Sequence, residues 1–246
     1  MTAKAITVSV LSPAALMAPP VKPSIKAVAF DAYALFDTST ILAKAETLYP
    51  GKGTELMNLW RNRQFEYTWL RSLSKNYKDF FAVTADALVF AASSLRLTLS
   101  DENKDQLMQS ILQMKFVSNA GAVLQQLKDM SLQLAILSNA TPSMLQAGIN
   151  NSSLQGVFDF VISTGSIKTY KPDPAAYQLG VNTFKVKKEE ILFVAFGGWD
   201  AAGAKSFGYP TAWINANGLP AEQLDATPDF ICKNLSELAN CIKSVA

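Results

Sequence analysis

Six short apolar runs, separated by segments of helical periodicity, constrain the fold of this chain more than any other feature. Turn residues bound each run, which is typical of buried strands. The intervening segments, such as AGAVLQQLKDM and TPSMLQAGINN, are long enough for crossover helices. Strands that alternate with helices predict a parallel sheet covered by helices on both faces. The runs are Lys26 to Phe30, Leu132 to Ser138, Phe158 to Ser163, Ile191 to Phe196, Pro210 to Asn215 and Asp229 to Lys233.

The interval between the first and second runs has an almost entirely helical pattern. We therefore expect an α/β fold: a Rossmann-like, doubly wound parallel sheet with an inserted helical cap domain. The core domain comprises residues 25–37 and 116–246, and the cap domain comprises residues 38–115.

Residues 1–24 are apolar but interrupted by Ser and Pro. This stretch is too short and too broken to span a membrane as a helix. We interpret it as a leader or disordered segment and predict a cytoplasmic protein. The alternative is an exported, periplasmic protein whose residues 1–24 derive from a secretion signal.

Composition excludes several functions. The net charge of the 246-residue chain is +2 and its Lys and Arg are scattered, which argues against a nucleic-acid partner. The absence of histidine excludes a Ser-His nucleophile pair and most transition-metal sites. Two cysteines, Cys232 and Cys241, are too few for a disulfide framework or a zinc site, so we expect buried thiols. The charge balance indicates a protein that acts on a small molecule, or a partner-binding domain, and we expect no membrane partner.

Polar and aromatic residues follow four of the predicted strands. In open α/β sheets, ligands bind beyond the carboxyl ends of the strands, so these residues are predicted to form one site. Thr141 and Pro142 are expected to be the N-cap and first residue of the helix after the second run. The residues at the strand ends are Asp31, Ser138, Asn139, Lys171, Tyr177, Trp199 and Asp200.

In these strand-end residues and the stretches around them, the chain resembles the haloacid dehalogenase superfamily and, within it, the L-2-haloacid dehalogenases. The resemblance runs from about Ile25 to the C-terminus. The stretch WRNRQFEYTWLR is typical of the dehalogenase branch, and the phosphatases of the superfamily lack it. The matching stretches are VAFDAYALFD, LWRNRQFEYTWLRSL, AILSNATPSML, TYKPDPAAYQLG and ILFVAFGGWDAAGAKSFGYPTAWIN.

The resemblance implies hydrolysis of short L-2-haloalkanoic acids to 2-hydroxy acids through a covalent aspartyl ester, without metal or cofactor. Asp31 would be the nucleophile, Lys171 its neutralising cation and Arg61 the acceptor of the halide. Ser138 and Asn139 would bind the substrate carboxylate. The implied catalytic residues are Asp31, Arg61, Ser138, Lys171 and Asp200, and the implied substrate-binding residues are Tyr33, Asn62, Phe65, Phe80, Asn139, Tyr177 and Trp199. The expected partners are the 2-haloacid and the halide, and the resemblance also implies a homodimer.

Two departures from the dehalogenase pattern affect the hydrolytic half-reaction. The stretch DAYALFD is one residue shorter than its counterpart and lacks the threonine. Ala195 and Gly197 stand where the family has Ser and Asn, groups that help to orient water. One alternative is therefore a catalytically impaired descendant that binds or traps a small carboxylate.

The other alternative is a Mg²⁺-dependent phosphatase of the same superfamily. Such phosphatases have an aspartate two positions after the nucleophile and a paired acidic motif after the fourth strand. Here Tyr33 and AFGG occupy these places, so few acidic oxygens could compensate a divalent cation. A dinucleotide-dependent oxidoreductase is disfavoured because no Gly-rich turn follows the first strand.

Overall fold

The computed structural model describes residues 24–243; the predicted leader lies outside them except for Ser24. The strands are β1 (Ala27–Phe30), β2 (Phe36–Asp37), β3 (Lys115–Phe116), β4 (Gln133–Ser138), β5 (Phe160–Ser163), β6 (Ile191–Ala195), β7 (Thr211–Ile214) and β8 (Phe230–Cys232). The helices are α1 (Ser39–Leu48), α2 (Gly53–Leu73), α3 (Phe80–Ser94), α4 (Asp101–Leu112), α5 (Ala120–Asp129), α6 (Pro142–Asn151), α7 (Pro174–Phe184), α8 (Gly198–Phe207) and α9 (Leu238–Lys243).

Six parallel strands form the main sheet, in the order β5-β4-β1-β6-β7-β8. They coincide with the six predicted runs to within two residues at each end. Strand β1 lies at the centre, where Phe30 pairs with Ile136 of β4 on one side and with Val194 of β6 on the other. Because the strand order reverses beside β1, its carboxyl end opens into the crevice where such folds bind ligands.

Helices cover both faces of this sheet, as predicted. On one face, Leu124 of α5, Leu145 of α6 and Leu238 of α9 pack against the sheet. On the other face, the buried residues include Phe184 of α7 and Ala201 of α8. The chain is therefore a doubly wound α/β protein with a continuous apolar layer on each side of the sheet.

Helices α1 to α4 lie between β2 and β3. These two short strands were not predicted; they pair antiparallel, with Phe36 opposite Phe116 and Asp37 opposite Lys115. The pairing brings the entry and the exit of the helical segment together. The helical pattern of this interval is interrupted between α1 and α2, since Pro50 and Gly51 form a turn in which Gly51 has a φ of +74°. Within residues 24–243, no helix is both long and apolar enough to cross a membrane.

Candidate active site

Asp31, Lys171 and Asp200 meet at the carboxyl end of β1. The Nζ atom of Lys171 lies 2.9 Å from Oδ1 of Asp31 and 2.6 Å from Oδ2 of Asp200. Lys171 is 1% exposed, and its ammonium also lies 4.9 Å from the ring centroid of Phe193. Burial alone would lower the pKa of Lys171, but the charges of Asp200 and Asp31 outweigh it and raise that pKa. The cluster thus holds one cation between two carboxylates.

Asp200 lies deeper than Asp31. It is fully buried; Oδ1 accepts a hydrogen bond from Oη of Tyr177 at 2.7 Å, while Oδ2 faces Lys171. Burial raises the pKa of Asp200 to about 6, although the Lys171 charge opposes the rise. Asp31, by contrast, is 8% exposed and lines a cavity. Of the two carboxylates, Asp31 is placed to meet a ligand.

The loop after β4 supplies hydrogen-bond donors beside Asp31. Ser138 Oγ accepts from the backbone N–H of Ala140 at 3.2 Å, which leaves its hydroxyl hydrogen for another partner. Asn139 Oδ1 accepts from the backbone N–H of Lys171 at 2.8 Å and from Thr164 Oγ1 at 3.2 Å. The amide nitrogen of Asn139 is therefore left to donate to a ligand.

Helix α6 begins directly after this loop. Thr141 is its N-cap, accepting from the N–H of Met144 at 3.3 Å, and Pro142 is its first residue. Both positions were predicted correctly. The helix therefore directs the positive end of its dipole toward the loop that carries Ser138 and Asn139.

A cavity of about 310 Å³, part of it open to solvent, lies over these groups, and we name it the Asp31 cavity. It combines one ionic pair with aromatic walls, a combination suited to a small ligand with one charged and one apolar end. Its lining residues are Asp31, Tyr33, Phe65, Phe80, Ser138, Asn139, Lys171, Phe196, Gly197 and Trp199.

Trp199 packs closely over Gly197. A Cβ atom on Gly197 would lie 2.8 Å from Nε1 of Trp199, closer than side chains tolerate. The backbone at Gly197 is extended, with a φ of −95° and a ψ of 143°, so the contact rather than the backbone requires glycine here. Phe65 and Trp69 of α2 hold the other side of the indole, with ring centroids 5.2 and 5.5 Å from that of Trp199.

Arg61 borders the Asp31 cavity from α2. Its guanidinium carbon lies 4.6 Å from the ring centroid of Phe196, although the residue as a whole is exposed. Partial desolvation lowers the pKa of Arg61, and the negative charge of the nearby Asp31 counteracts this. Burial, reinforced by the Asp31 charge, raises the pKa of Tyr33, so its hydroxyl stays protonated.

Arg61 and Tyr33 also line a second cavity of about 430 Å³, again partly open to solvent, which we name the Met57 cavity. It lies among helices α1 to α4, and its walls combine apolar side chains with a few polar ones. Its lining residues are Tyr33, Thr38, Ile41, Met57, Trp60, Arg61, Gln64, Thr84 and Ile111.

Three of the predicted site residues line neither cavity. Asn62 is exposed on α2 and lines neither cavity. Tyr177 is fully buried behind Asp200. Asp200 is fully buried and lines neither cavity. The second carboxylate after β1, Asp37, accepts from the N–H of Ser39 at 2.9 Å at the start of α1.

The sequence interpretation did not include Phe196 and Gln64 among the site residues. Phe196 directly follows β6, so its position at a strand end could have predicted its place in the site. Gln64 lies within α2 and is buried there. The sequence around it does not distinguish a buried glutamine from a solvent-exposed one. Among residues 24–243, no group of three or more acidic or cysteine side chains could hold a metal ion.

Comparison with known proteins agrees with this geometry. The sequence profile of the haloacid dehalogenase-like hydrolases matches residues 25–208. An (S)-2-haloacid dehalogenase from Pseudomonas sp. (strain YL) is 37% identical over 90% of this chain and 96% of its own length.

Solved structures give the same result. The crystal structure of L-2-haloacid dehalogenase RSc1362 superimposes with a TM-score of 0.88, at 41% identity over 89% of this chain and 99% of that one. A structure of L-2-haloacid dehalogenase from Xanthobacter autotrophicus with chloropropionic acid covalently bound has a TM-score of 0.81, at 33% identity over 90% of this chain and 100% of that one.

The fold and the residues at its strand ends thus define a haloacid dehalogenase-like hydrolase. Within that class, the chain belongs to the family of the (S)-2-haloacid dehalogenases, enzymes that act on carbon–halide bonds.

Proposed function

We propose that this enzyme hydrolyses short L-2-haloalkanoic acids to 2-hydroxy acids through an ester on Asp31, without a metal ion. The observation that carries the proposal is the Asp31 carboxylate, which lies 2.9 Å from the Lys171 ammonium in the wall of a small cavity. A carboxylate held in this way is aligned for attack and needs no cofactor. The covalent chloropropionic acid complex of the Xanthobacter relative supports this chemistry.

The first half-reaction would displace halide. The substrate carboxylate would accept hydrogen bonds from the Ser138 hydroxyl and the Asn139 amide, near the amino end of α6. An oxygen of Asp31 would attack C2, and the electrons of the carbon–halogen bond would leave with the halide. Arg61 would receive this anion, since its guanidinium remains cationic at neutral pH.

The second half-reaction would hydrolyse the ester. Water would attack the ester carbonyl and pass one proton to Asp200. As the tetrahedral intermediate collapses, Asp200 would return that proton to the departing alkoxide oxygen, which leaves as the 2-hydroxy acid, and the second proton of the water would pass to solvent as the Asp31 carboxylate is restored. A base whose pKa lies near 6 is ionised at neutral pH and still basic enough to accept a proton. Lys171 would stabilise the negative charge that develops on the Asp31 oxygens.

One observation favours a second candidate, a descendant that is alkylated but does not turn over. Ala195 and Gly197 offer no polar side chain to water, and both oxygens of Asp200 already face Tyr177 and Lys171. Each orienting hydrogen bond that is missing costs about 1–3 kcal/mol, or roughly ten- to hundredfold in rate.

The Mg²⁺-dependent phosphatase has less support. Tyr33 stands where that branch has its second aspartate, and the Lys171 ammonium already lies between the two carboxylates of the site. Magnesium-stimulated cleavage of p-nitrophenyl phosphate would favour this alternative.

The test is halide release from L-2-chloropropionate and chloroacetate without added metal, with intact-protein mass recorded in the same samples. Steady release that Asp31→Asn abolishes supports the dehalogenase. A stable mass increase without turnover supports the alkylated descendant. The matched control is Asp37→Asn, which changes the other carboxylate after β1 and should retain activity. The absence of both release and adduct would contradict the proposal.

Two further expectations stay predictions: the homodimer, which the family resemblance implies, and the cytoplasmic location. A homodimer is tested by size-exclusion chromatography with light scattering. A cytoplasmic location is tested by fractionating cells that express the full chain.

A further inference from the structure

The Met57 cavity adjoins the Asp31 cavity. Tyr33 lines both cavities, and Arg61 of the Met57 cavity packs on Phe196 of the Asp31 cavity. The two spaces are thus separated by these three side chains. A substituent on the carbon that Asp31 attacks would therefore have a second space beside it.

The polar atoms in the Met57 cavity mostly satisfy one another. Trp60 Nε1 donates to the backbone oxygen of Thr84 at 2.7 Å, and Gln64 Nε2 donates to Thr84 Oγ1. The Thr84 hydroxyl in turn donates to the backbone oxygen of Phe80 at 2.6 Å. Because these groups are already paired, a polar ligand would gain little from them.

The remaining wall is apolar. Ile41 of α1 and Ile111 of α4 are each 4% exposed, and Met57 of α2 is half-buried between them and the solvent. Burial of apolar ligand surface against such a wall favours an aliphatic occupant. Arg61 lies between this apolar wall and the Asp31 cavity, where the carboxylate of a ligand would remain.

We propose that the Met57 cavity is a subsite for the alkyl chain of 2-haloalkanoic acids longer than propionate. The inference rests on the proposed dehalogenation at Asp31 and adds a substrate class to it. The carboxylate and C2 would lie in the Asp31 cavity, and carbons from C4 onward would pass Tyr33 and contact Met57.

Binding of unreactive acids tests this subsite apart from turnover. Isothermal titration should show hexanoate binding more tightly than propionate, on the order of tenfold or more, because each buried methylene adds favourable transfer free energy. Met57→Phe, which fills the cavity, should remove most of this difference. Equal affinities for hexanoate and propionate in the unaltered enzyme would overturn the proposal.

Kinetics give a second readout. Met57→Phe should lower the ratio of kcat/KM for L-2-bromohexanoate to that for L-2-bromopropionate by about tenfold. Leu70→Phe, on the exposed side of the same helix, is the control and should leave this ratio unchanged. Turnover of the propionate but not of the hexanoate by the unaltered enzyme would refute the subsite and leave the proposed function intact.

A second inference rests on the two cysteines. Both come later in the chain than every residue that lines the two cavities. The Sγ atoms of Cys232 and Cys241 are 3.1 Å apart, joining the end of β8 to α9. Cys232 is fully buried, whereas Cys241 is half-buried. Strand β8 is the edge of the sheet, and Leu238 and Ile242 of α9 are buried in the core on one face of that sheet.

We infer that these two thiols form a site of reversible oxidation to an intramolecular disulfide. A peroxide would oxidise one thiol to a sulfenic acid and release water; the other thiol would then attack that sulfur and release a second water. Two electrons pass from the sulfurs to the peroxide, and one sulfur–sulfur bond replaces two S–H bonds. Burial raises the pKa of Cys232 to about 12, so the more accessible Cys241 is expected to react first.

Hydrogen peroxide treatment followed by thiol titration in denaturant tests this site. The expected product has no titratable thiols, has lost the mass of two hydrogen atoms and migrates as a single chain on a non-reducing gel. The bond should raise Tm by about 5 °C, and a thiol reductant should reverse the change. Cys241→Ser should abolish the stabilisation. Two thiols that still titrate, added oxygen atoms or a disulfide between chains would overturn the inference.

Discussion

Asp31 and Lys171 are 140 positions apart in the chain, yet Lys171 Nζ lies 2.9 Å from Asp31 Oδ1 in a buried hydrogen bond. The same ammonium serves Asp200, so a single cation compensates two carboxylates. Such a cluster tolerates the loss of its cation poorly, because removing it leaves charges that burial makes costly.

Lys171→Met should therefore lower the free energy of unfolding by about 3–5 kcal/mol and abolish halide release. Urea denaturation followed by circular dichroism measures the first effect. Lys205→Met is the matched control, since Lys205 forms a 2.7 Å ion pair with Asp229 at the surface. There the loss should be about 0–1 kcal/mol. Equal losses in the two variants would show that Lys171 does not compensate the buried charges.

The pH dependence of turnover should report Asp200. Since its pKa is raised to about 6 and it acts in ester hydrolysis, kcat should fall about tenfold per unit as the pH drops below 6 wherever hydrolysis limits the rate. Stability changes in the opposite direction: a raised carboxyl pKa makes this group's contribution to stability decline as pH rises from about 4 through 6. Rates that stay flat down to pH 5 would exclude Asp200 as the base.

Tyr177→Phe should move that acid limb to higher pH. The Tyr177 hydroxyl lies 2.7 Å from Asp200 Oδ1 and helps to lower the pKa of Asp200, so its loss favours the protonated acid. Tyr209→Phe is the control, because it also removes a buried hydrogen bond, to the backbone oxygen of Tyr177, without touching Asp200. Each variant should lose about 1 kcal/mol of stability, but only the first should shift the pH profile.

Arg61→Ala should lower the rate of halide release at least tenfold and leave the urea midpoint nearly unchanged. The residue is exposed, and its guanidinium packs on Phe196 at the rim of the Asp31 cavity. Arg63→Ala tests whether loss of any arginine on this helix has the same effect, since Arg63 instead pairs with Glu66 at 2.8 Å. An unchanged rate in Arg61→Ala would remove this residue from the site.

Gly197→Ala should displace the Trp199 indole and reduce kcat/KM about tenfold, since the new methyl group would overlap Nε1. A shift in tryptophan fluorescence should accompany the loss. In Gly121→Ala, the added methyl group would meet Leu154 Cδ2 at 3.3 Å, a contact that a small movement relieves. That variant should keep full activity, so a similar loss in both would mean a general packing effect.

The fold was predictable because its six strands are short, continuous apolar runs separated by crossover helices. The strand ends also predicted that Asp31, Ser138, Asn139, Lys171 and Asp200 lie close together, since chain order and sheet topology bring them to one edge. No local sequence pattern predicts contacts between residues that are far apart in the chain. The pairing of Phe36 with Phe116 and the hydrogen bond between Gln64 and Thr84 are of this kind.

The position of Tyr177 shows the same limit. The resemblance placed it among the substrate-binding residues, whereas α7 carries its side chain behind Asp200, to which it donates a hydrogen bond. Chain proximity gives the neighbourhood of a side chain, whereas the helix geometry decides which partner it reaches.

The contact between Trp199 and Gly197 also bears on how this site can change during evolution. Because the indole fills the space above Gly197, a side chain gained at position 197 requires the indole of Trp199 to move. The two positions are therefore coupled, and the effects of substitutions at 197 and 199 should not be additive. Directed evolution that varies one position at a time would miss favourable combinations that a library varying both together would contain.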